Sequence, residues 1–258
     1  MKIYFSRMGD LLTSLDRSPF GSFALDDRAS KNDLLSIISE IEDWSRAKGV
    51  NSLIIRSFPE IYQPHHSLLV KNSLLATGFA IKYCDLTQAI PVSKEKISLN
   101  THKKRRVRKA EALGFSFRLL PAEFIEESYQ LIVESRQHKN YPVTMSLADL
   151  TYTFKLFPDA YFLFGLFDKN RLIATAVSIS VNAEIMYCFY IGDDLAYRTY
   201  SPVTPLVNGI YQFCQMNNYK ILDLGISTDK GVLNKGLYDF KKSFGTLDSD
   251  KFTYIKQF

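Results

Sequence analysis

The sequence predicts a mixed α/β fold, α+β in that one sheet combines parallel and antiparallel strands and carries helices on both faces. Three observations predict it. The first hundred residues alternate as strand, helix, strand, helix, strand. The rest reads β-α-α-β-β-β-α-β-α-β, with three strand-like runs in quick succession. Composition is that of an ordinary globular protein, 46% hydrophobic and 23% charged over 258 residues, which excludes disordered, collagen-like and coiled-coil chains.

In order, PFGSFAL (19–25) reads as a short strand opened by a turn. SKNDLLSIISEIEDWSRAKG places Leu34, Ile37, Ile38, Ile41 and Trp44 at helical spacing, with Asn32 or Asp33 as cap and Gly49 as the left-handed stop. Leu53-Ile54-Ile55 suits a buried strand. HSLLVKNSLLATG is a second helix ending at Gly78, and residues 79–92 are extended. Residues 101–113 form a helix with six cations: Lys103, Lys104, Arg105, Arg106, Arg108 and Lys109. It reads either as a solvated linker helix docking Val107, Ala110 and Leu113, or as a dock for a phosphate or anionic substrate.

Strand 115–120 follows, then helix 122–138, a loop around Tyr141-Pro142, and a helix capped by Ser146 with Asp149 in the capping-box position. Runs 160–167, 171–181 and 184–191 are joined by tight-turn chemistry at Asp168-Lys169-Asn170 and Asn182-Ala183, which predicts an antiparallel meander. A helix bearing Leu206, Ile210, Phe213 and Cys214 on one face, strand 220–225, a helix around GLYDFKKSFG and strand TYIKQF complete the chain. The first half repeats the later order of the second, which suggests a duplication with an abbreviated first copy: 1–100 a partial half, 101–114 a basic linker helix, 115–258 a complete half.

Several function classes fall away. No apolar run approaches the roughly 18 residues of a membrane span, and MKIYFSRMGD lacks a signal-peptide core. Cys84, Cys188 and Cys214 are far apart and odd in number, fitting neither a disulfide framework nor a zinc site, so a reducing cytoplasm is expected. Net charge +5 suits an anionic ligand without implying nucleic acid. With 19 Phe and 15 Tyr, a cleft lined by rings is expected. His65-His66 has no spaced partners and reads as surface, not metal.

The element order resembles the GNAT acyltransferase fold, and the paired arrangement resembles its FemAB-related branch. Three stretches carry the likeness: RRVRKAEALGFSFR (105–118), YRTYSPVTPLVNGIYQFCQMNNYKILDLG (197–225) and LYDFKKSFG (237–245), which is similar to a closing F-K-x-x-F-G element. The resemblance implies a bacterial N-acyltransferase that places an acyl group on an amine of a small-molecule, sugar or cell-envelope precursor. The implied donor is acetyl-CoA or another acyl-CoA, without a metal. Aminoacyl-tRNA is the alternative donor, and a non-catalytic ligand-binding module the alternative class.

The same resemblance implies residue roles. The acyl group lies between strands 184–191 and 220–225, where backbone amides near Tyr190 and Ile191 bind its carbonyl oxygen. The donor phosphates lie near Arg198, Thr199, Ser201, Val203 and Thr204. Both glycines of the usual GNAT loop are absent there, while a helix start capped by Ser201-Pro202 or Thr204-Pro205 remains. Lys241 falls on the motif lysine that stabilises negative charge or holds an anionic substrate, and Tyr238 could relay a proton. Arg136, His138 and Tyr141 fall on the acceptor side. Asp223, alternating with Leu222 and Leu224, points away from their face and reads as general base or as a hydrogen-bonded structural carboxylate. Asp193 and Asp194 read as turn residues.

Overall fold

The structure is a computed structural model, and it describes residues 1–16, 18–26 and 28–258. The chain runs β1 (Phe5–Met8), β2 (Leu11–Ser14), α1 (Lys31–Ala47), β3 (Ser52–Arg56), α2 (Pro64–Ala76), β4 (Ala80–Pro91) and α3 (Thr101–Ala112). It continues through β5 (Ser116–Leu120), α4 (Ile125–Gln137), α5 (Leu147–Leu156), β6 (Tyr161–Asp168), β7 (Arg171–Asn182), β8 (Ile185–Asp193) and α6 (Val203–Met216). Last come β9 (Ile221–Ile226), β10 (Thr228–Asp229), β11 (Val232–Leu233), α7 (Lys235–Lys242) and β12 (Leu247–Gln257). The expected mixed α/β class is present, and so is the order from 115 onward except for the β10–β11 hairpin between β9 and α7, which was not expected.

Two compact units divide the chain. The first holds Met1–Thr87, Ile226–Lys235 and Asp248–Phe258. Its strands order as β1-β2-β3-β12-β4, with β2 parallel and β12 antiparallel to β3. Leu34, Ile38, Val70 and Leu74 of the two helices pack with Leu53, Ile55 and Tyr254 of the strands. Two expectations fail here. Residues 19–25 make no strand beyond an isolated Lys2–Ala24 bridge, because Gly21 presses against Ser14, where a Cβ would sit 2.7 Å from the carbonyl oxygen, and gives its N–H to Arg56 O. The strand comes earlier, as a β1–β2 hairpin closed by Gly9-Asp10 with Gly9 at φ +61. The α1 cap is Ser30, two residues ahead of Asn32 and three ahead of Asp33, with Asp33 closing a reciprocal capping box.

The second unit holds Gln88–Gly225 and Gly236–Leu247. Its strands order as β9-β8-β7-β6-β5, with the expected antiparallel meander over β6, β7 and β8, β5 added antiparallel to β6, and β9 parallel to β8. One face buries Phe164, Ala174, Met186, Leu222 and Leu224 with Leu206, Ile210 and Cys214 of α6. The other buries Leu163, Val177 and Tyr190 with Ile132 of α4 and Leu150 of α5. Alternation along each strand therefore feeds two cores, as a sheet covered on both faces requires.

α4 lies so close to the end of β8 that a Cβ on Gly192 would meet the Ile132 Cα at 2.7 Å. Backbone cannot yield as a flexible side chain can. Gly192→Ala should lower unfolding free energy by about 1–3 kcal/mol, the usual cost of overpacking, read from the urea midpoint. Gly114, whose Cβ would meet nothing within 4 Å although its φ is +76, separates strain from crowding when replaced by Asn.

Candidate active site

The site begins where two parallel strands part. β8 and β9 pair only over Ile185–Tyr187 and Ile221–Asp223, although both strands run on. Directly after that pairing β8 bulges: Cys188 faces Ser178 and Tyr190 faces Val177, leaving Phe189 without a β7 partner. An extra residue bends and twists its strand, so β8 swings away as pairing with β9 ends. On β9, Gly225 turns at φ +79, a conformation glycine adopts without penalty. Its N–H donates to Asp223 Oδ1 at 2.6 Å, and its carbonyl accepts from Lys241 Nζ at 2.8 Å.

Lys241 reaches this turn from α7 and is 6% exposed, whereas Lys242 is exposed and donates to Thr246 O at 3.0 Å. Burial pulls Lys241 down to about 8, opposed by the Asp223 charge and the Cys188 thiol. Asp223 is buried, and Leu222 and Leu224 point to the α6 core, so the carboxylate faces the α4 side as alternation predicts. Tyr187, in register with Asp223, was missed in the sequence. Its hydroxyl lies 3.7 Å from where a Gly225 Cβ would be, and burial, then Asp223, pushes its ionisation far up. It reads as one more strand aromatic; only the register identifies it.

Arg136, at the end of α4, also reaches this face. Its Nε donates to Pro142 O at 2.9 Å, and its guanidinium lies 5.2 Å from the Tyr190 ring and 5.9 Å from that of Tyr141. The Tyr190 hydroxyl accepts from the amides of Thr144 and Met145, holding the loop that follows. His138 is exposed at the α4 terminus and has no polar side-chain contact with this group among the described residues. Tyr238 is half-buried one turn before Lys242, whose ammonium is 5.9 Å from its ring.

The α6 start is built differently. Asp193, expected as a turn residue, is buried and binds Ser135 Oγ at 2.7 Å, Lys139 at 3.3 Å and Arg198 Nε at 3.4 Å. Asp194 caps the 3-10 turn Leu195–Tyr200 through the Ala196 amide. Arg198 therefore has a carboxylate partner, while its Nη2 is buried without one. Ser201 sits at φ +54, and Pro202 precedes Val203 without a side-chain cap. Thr204 is buried beneath Lys103 of the basic helix, whose ammonium donates to its Oγ1 at 3.0 Å and lies 3.8 Å from the Phe240 ring. Arg106 of the same helix donates to Thr199 O. The basic helix is thus neither wholly solvated nor a mere linker. Burial, then Arg106, lowers Lys103 to about 8.

No protein-family profile matches the sequence, and no curated protein matches it. Among solved structures the chain is similar to FemX, with a TM-score of 0.75 at 13% identity over 99% of this chain and 84% of that one. The fold is GNAT-like, of the FemX kind. L-PGS from Bacillus licheniformis gives 0.66 at 13% identity, over 98% and 79%. A tandem GNAT protein from the clavulanic acid biosynthesis pathway gives 0.53 at 10%, over 96% and 75%. Within this GNAT-like fold the gap between β8 and β9 is the candidate site. No group of three or more side chains able to hold a metal occurs among the described residues.

The buried lysines make stability depend on pH with a definite sign. Lys103 titrates near 8 when folded and near its ordinary 10.5 when unfolded. Between those values the unfolded chain binds more protons, so this contribution rises with pH. The wild type should therefore gain stability relative to Lys103→Met from pH 7.5 to 9.5 in urea unfolding. A constant difference would place the ammonium in water.

Proposed function

We propose that this protein is an N-acyltransferase whose acyl group lies in the gap between β8 and β9. The observation that carries the reading is Lys241: a buried lysine held on the carbonyl of Gly225 at the point where two parallel strands separate. A negatively charged tetrahedral intermediate forms when an amine attacks an ester or thioester, and an ammonium held at that place stabilises it. The amine nitrogen attacks the acyl carbon. β8 amides near Tyr190 and Ile191 take the oxyanion, with Lys241 nearby. The carbon–sulfur or carbon–oxygen bond then breaks, and the leaving group takes up a proton. Asp223 holds the Gly225 turn and is the carboxylate available to take the amine's proton.

An acyl-CoA such as acetyl-CoA is the donor in this reading, and the acceptor is the amine of a small molecule, sugar or cell-envelope precursor. One observation favours a second donor. Pro202 and Pro205 remove two amides from the start of α6, and the Thr204 amide is spent on Ser201 O, so few remain for a pyrophosphate. That favours an aminoacyl ester, as in aminoacyl-tRNA, with Arg106 and its neighbours on α3 meeting a phosphodiester backbone. The abbreviated first copy belongs to this proposal too, supported by strand, helix, strand, helix, strand order from β2 to β4.

Mass spectrometry of donor consumption and product, with acetyl-CoA and with aminoacyl-tRNA, tests the reading. Lys241→Ala should slow turnover about 100-fold with the fold intact, the usual scale for losing one donor to an oxyanion. Lys242→Ala should change little. Turnover that needs the charged Lys241 should fall above about pH 8, and Lys241→Arg, which stays charged, should lose that alkaline limb while working less well at neutral pH. Equal, small effects at both lysines would reduce the F-K-x-x-F-G element to packing by Phe240 and Phe244.

A further inference from the structure

Arg136 is charged, half-buried and without a carboxylate. Its Nε is used on Pro142 O, and neither Nη is given a protein hydrogen bond. No Asp or Glu lies within ion-pair distance of it among the described residues, whereas the other cations nearby, Lys139 and Arg198, are both on Asp193. The rings of Tyr190 and Tyr141 lie near its guanidinium, and burial lowers its ionisation. The Pro142 bond holds the Nε side of the guanidinium, leaving both Nη groups for a ligand. β8 links this edge to the gap, since it carries both Tyr190, beside Arg136, and Tyr187, in register with Asp223.

We infer that the acceptor carries a carboxylate, bound in bidentate fashion by Arg136 between Tyr141 and Tyr190. The substrate class is thus an amino acid, or a peptide end that keeps amine and carboxylate together, with the amine presented toward Asp223. The word acceptor rests on the acyl-transfer reading, while the carboxylate site stands on the Arg136 geometry. One guanidinium balances a monoanion, and its fork matches the two oxygens of a carboxylate. A phosphate dianion would need a second cation, and Lys139 and Arg198 are both turned to Asp193 instead.

Calorimetric titration of the full chain with free L-amino acids, the matching amino acid amides and O-phosphoethanolamine tests this. At least one free amino acid should bind, with its amide at least tenfold weaker. Arg136→Met should abolish that preference, and Arg136→Lys should reduce affinity several-fold while keeping part of it, which preserves the test if the Met variant does not fold. Amides binding as well as acids, an unchanged preference in the variants, binding of the phosphate amine alone, or no binding across the panel would each overturn the inference. Donor consumption is followed separately. Amino acids that bind through Arg136 without any donor being consumed would overturn acyl transfer and leave the carboxylate site. Carboxylate-free amines acylated equally by wild type and Arg136→Met would do the reverse.

Discussion

The architecture of the second unit turns on the early end of the β8–β9 ladder. Three residue pairs hold the strands together, and then the Phe189 bulge on one side and the Gly225 turn on the other carry them apart. Separated strands leave backbone groups that must be satisfied. On β9 the protein does this itself: Asp223 takes the Gly225 amide, and Lys241 gives to the Gly225 carbonyl. The same two side chains are the ones the proposed acyl transfer calls on. The turn and the candidate catalytic groups are one arrangement.

Charge burial organises the surroundings. Lys241, Lys103 and Asp193 are each less than a tenth exposed. Asp193 is answered by two cations and a hydroxyl, tying α4 to the turn before α6. Lys103 is answered by a hydroxyl and two aromatic faces, those of Phe240 and Phe244, and is therefore the least compensated of the three. Through it the basic helix, the start of α6 and α7 share one contact.

Much of this was legible in the sequence because it rests on local rules. Helices stopped where Gly49, Gly78 and Gly114 take positive φ, and the meander followed from its turn residues. Alternation gave the direction of Asp223, and the resemblance of LYDFKKSFG to an F-K-x-x-F-G element singled out Lys241, whose burial the structure adds. The β1–β2 hairpin was missed because Ser6-Arg7 breaks the apolar alternation, though Gly9-Asp10 was a usable turn signal. Tyr187, the Phe189 bulge and the buried role of Asp193 were illegible for a different reason. Each depends on register or on a partner dozens of residues away, such as Ser135 for Asp193, and no local pattern encodes that.

The most direct test is a crystal structure with a non-hydrolysable acyl donor, run with a coenzyme A thioether and an aminoacyl-ester analogue in parallel. The account predicts that one of them places its acyl carbon between β8 and β9, with its carbonyl or an oxyanion mimic in reach of the β8 amides near Tyr190 and Ile191 and with Lys241 nearby. An acyl group bound away from that gap, with β8 and β9 enclosing nothing, would contradict it.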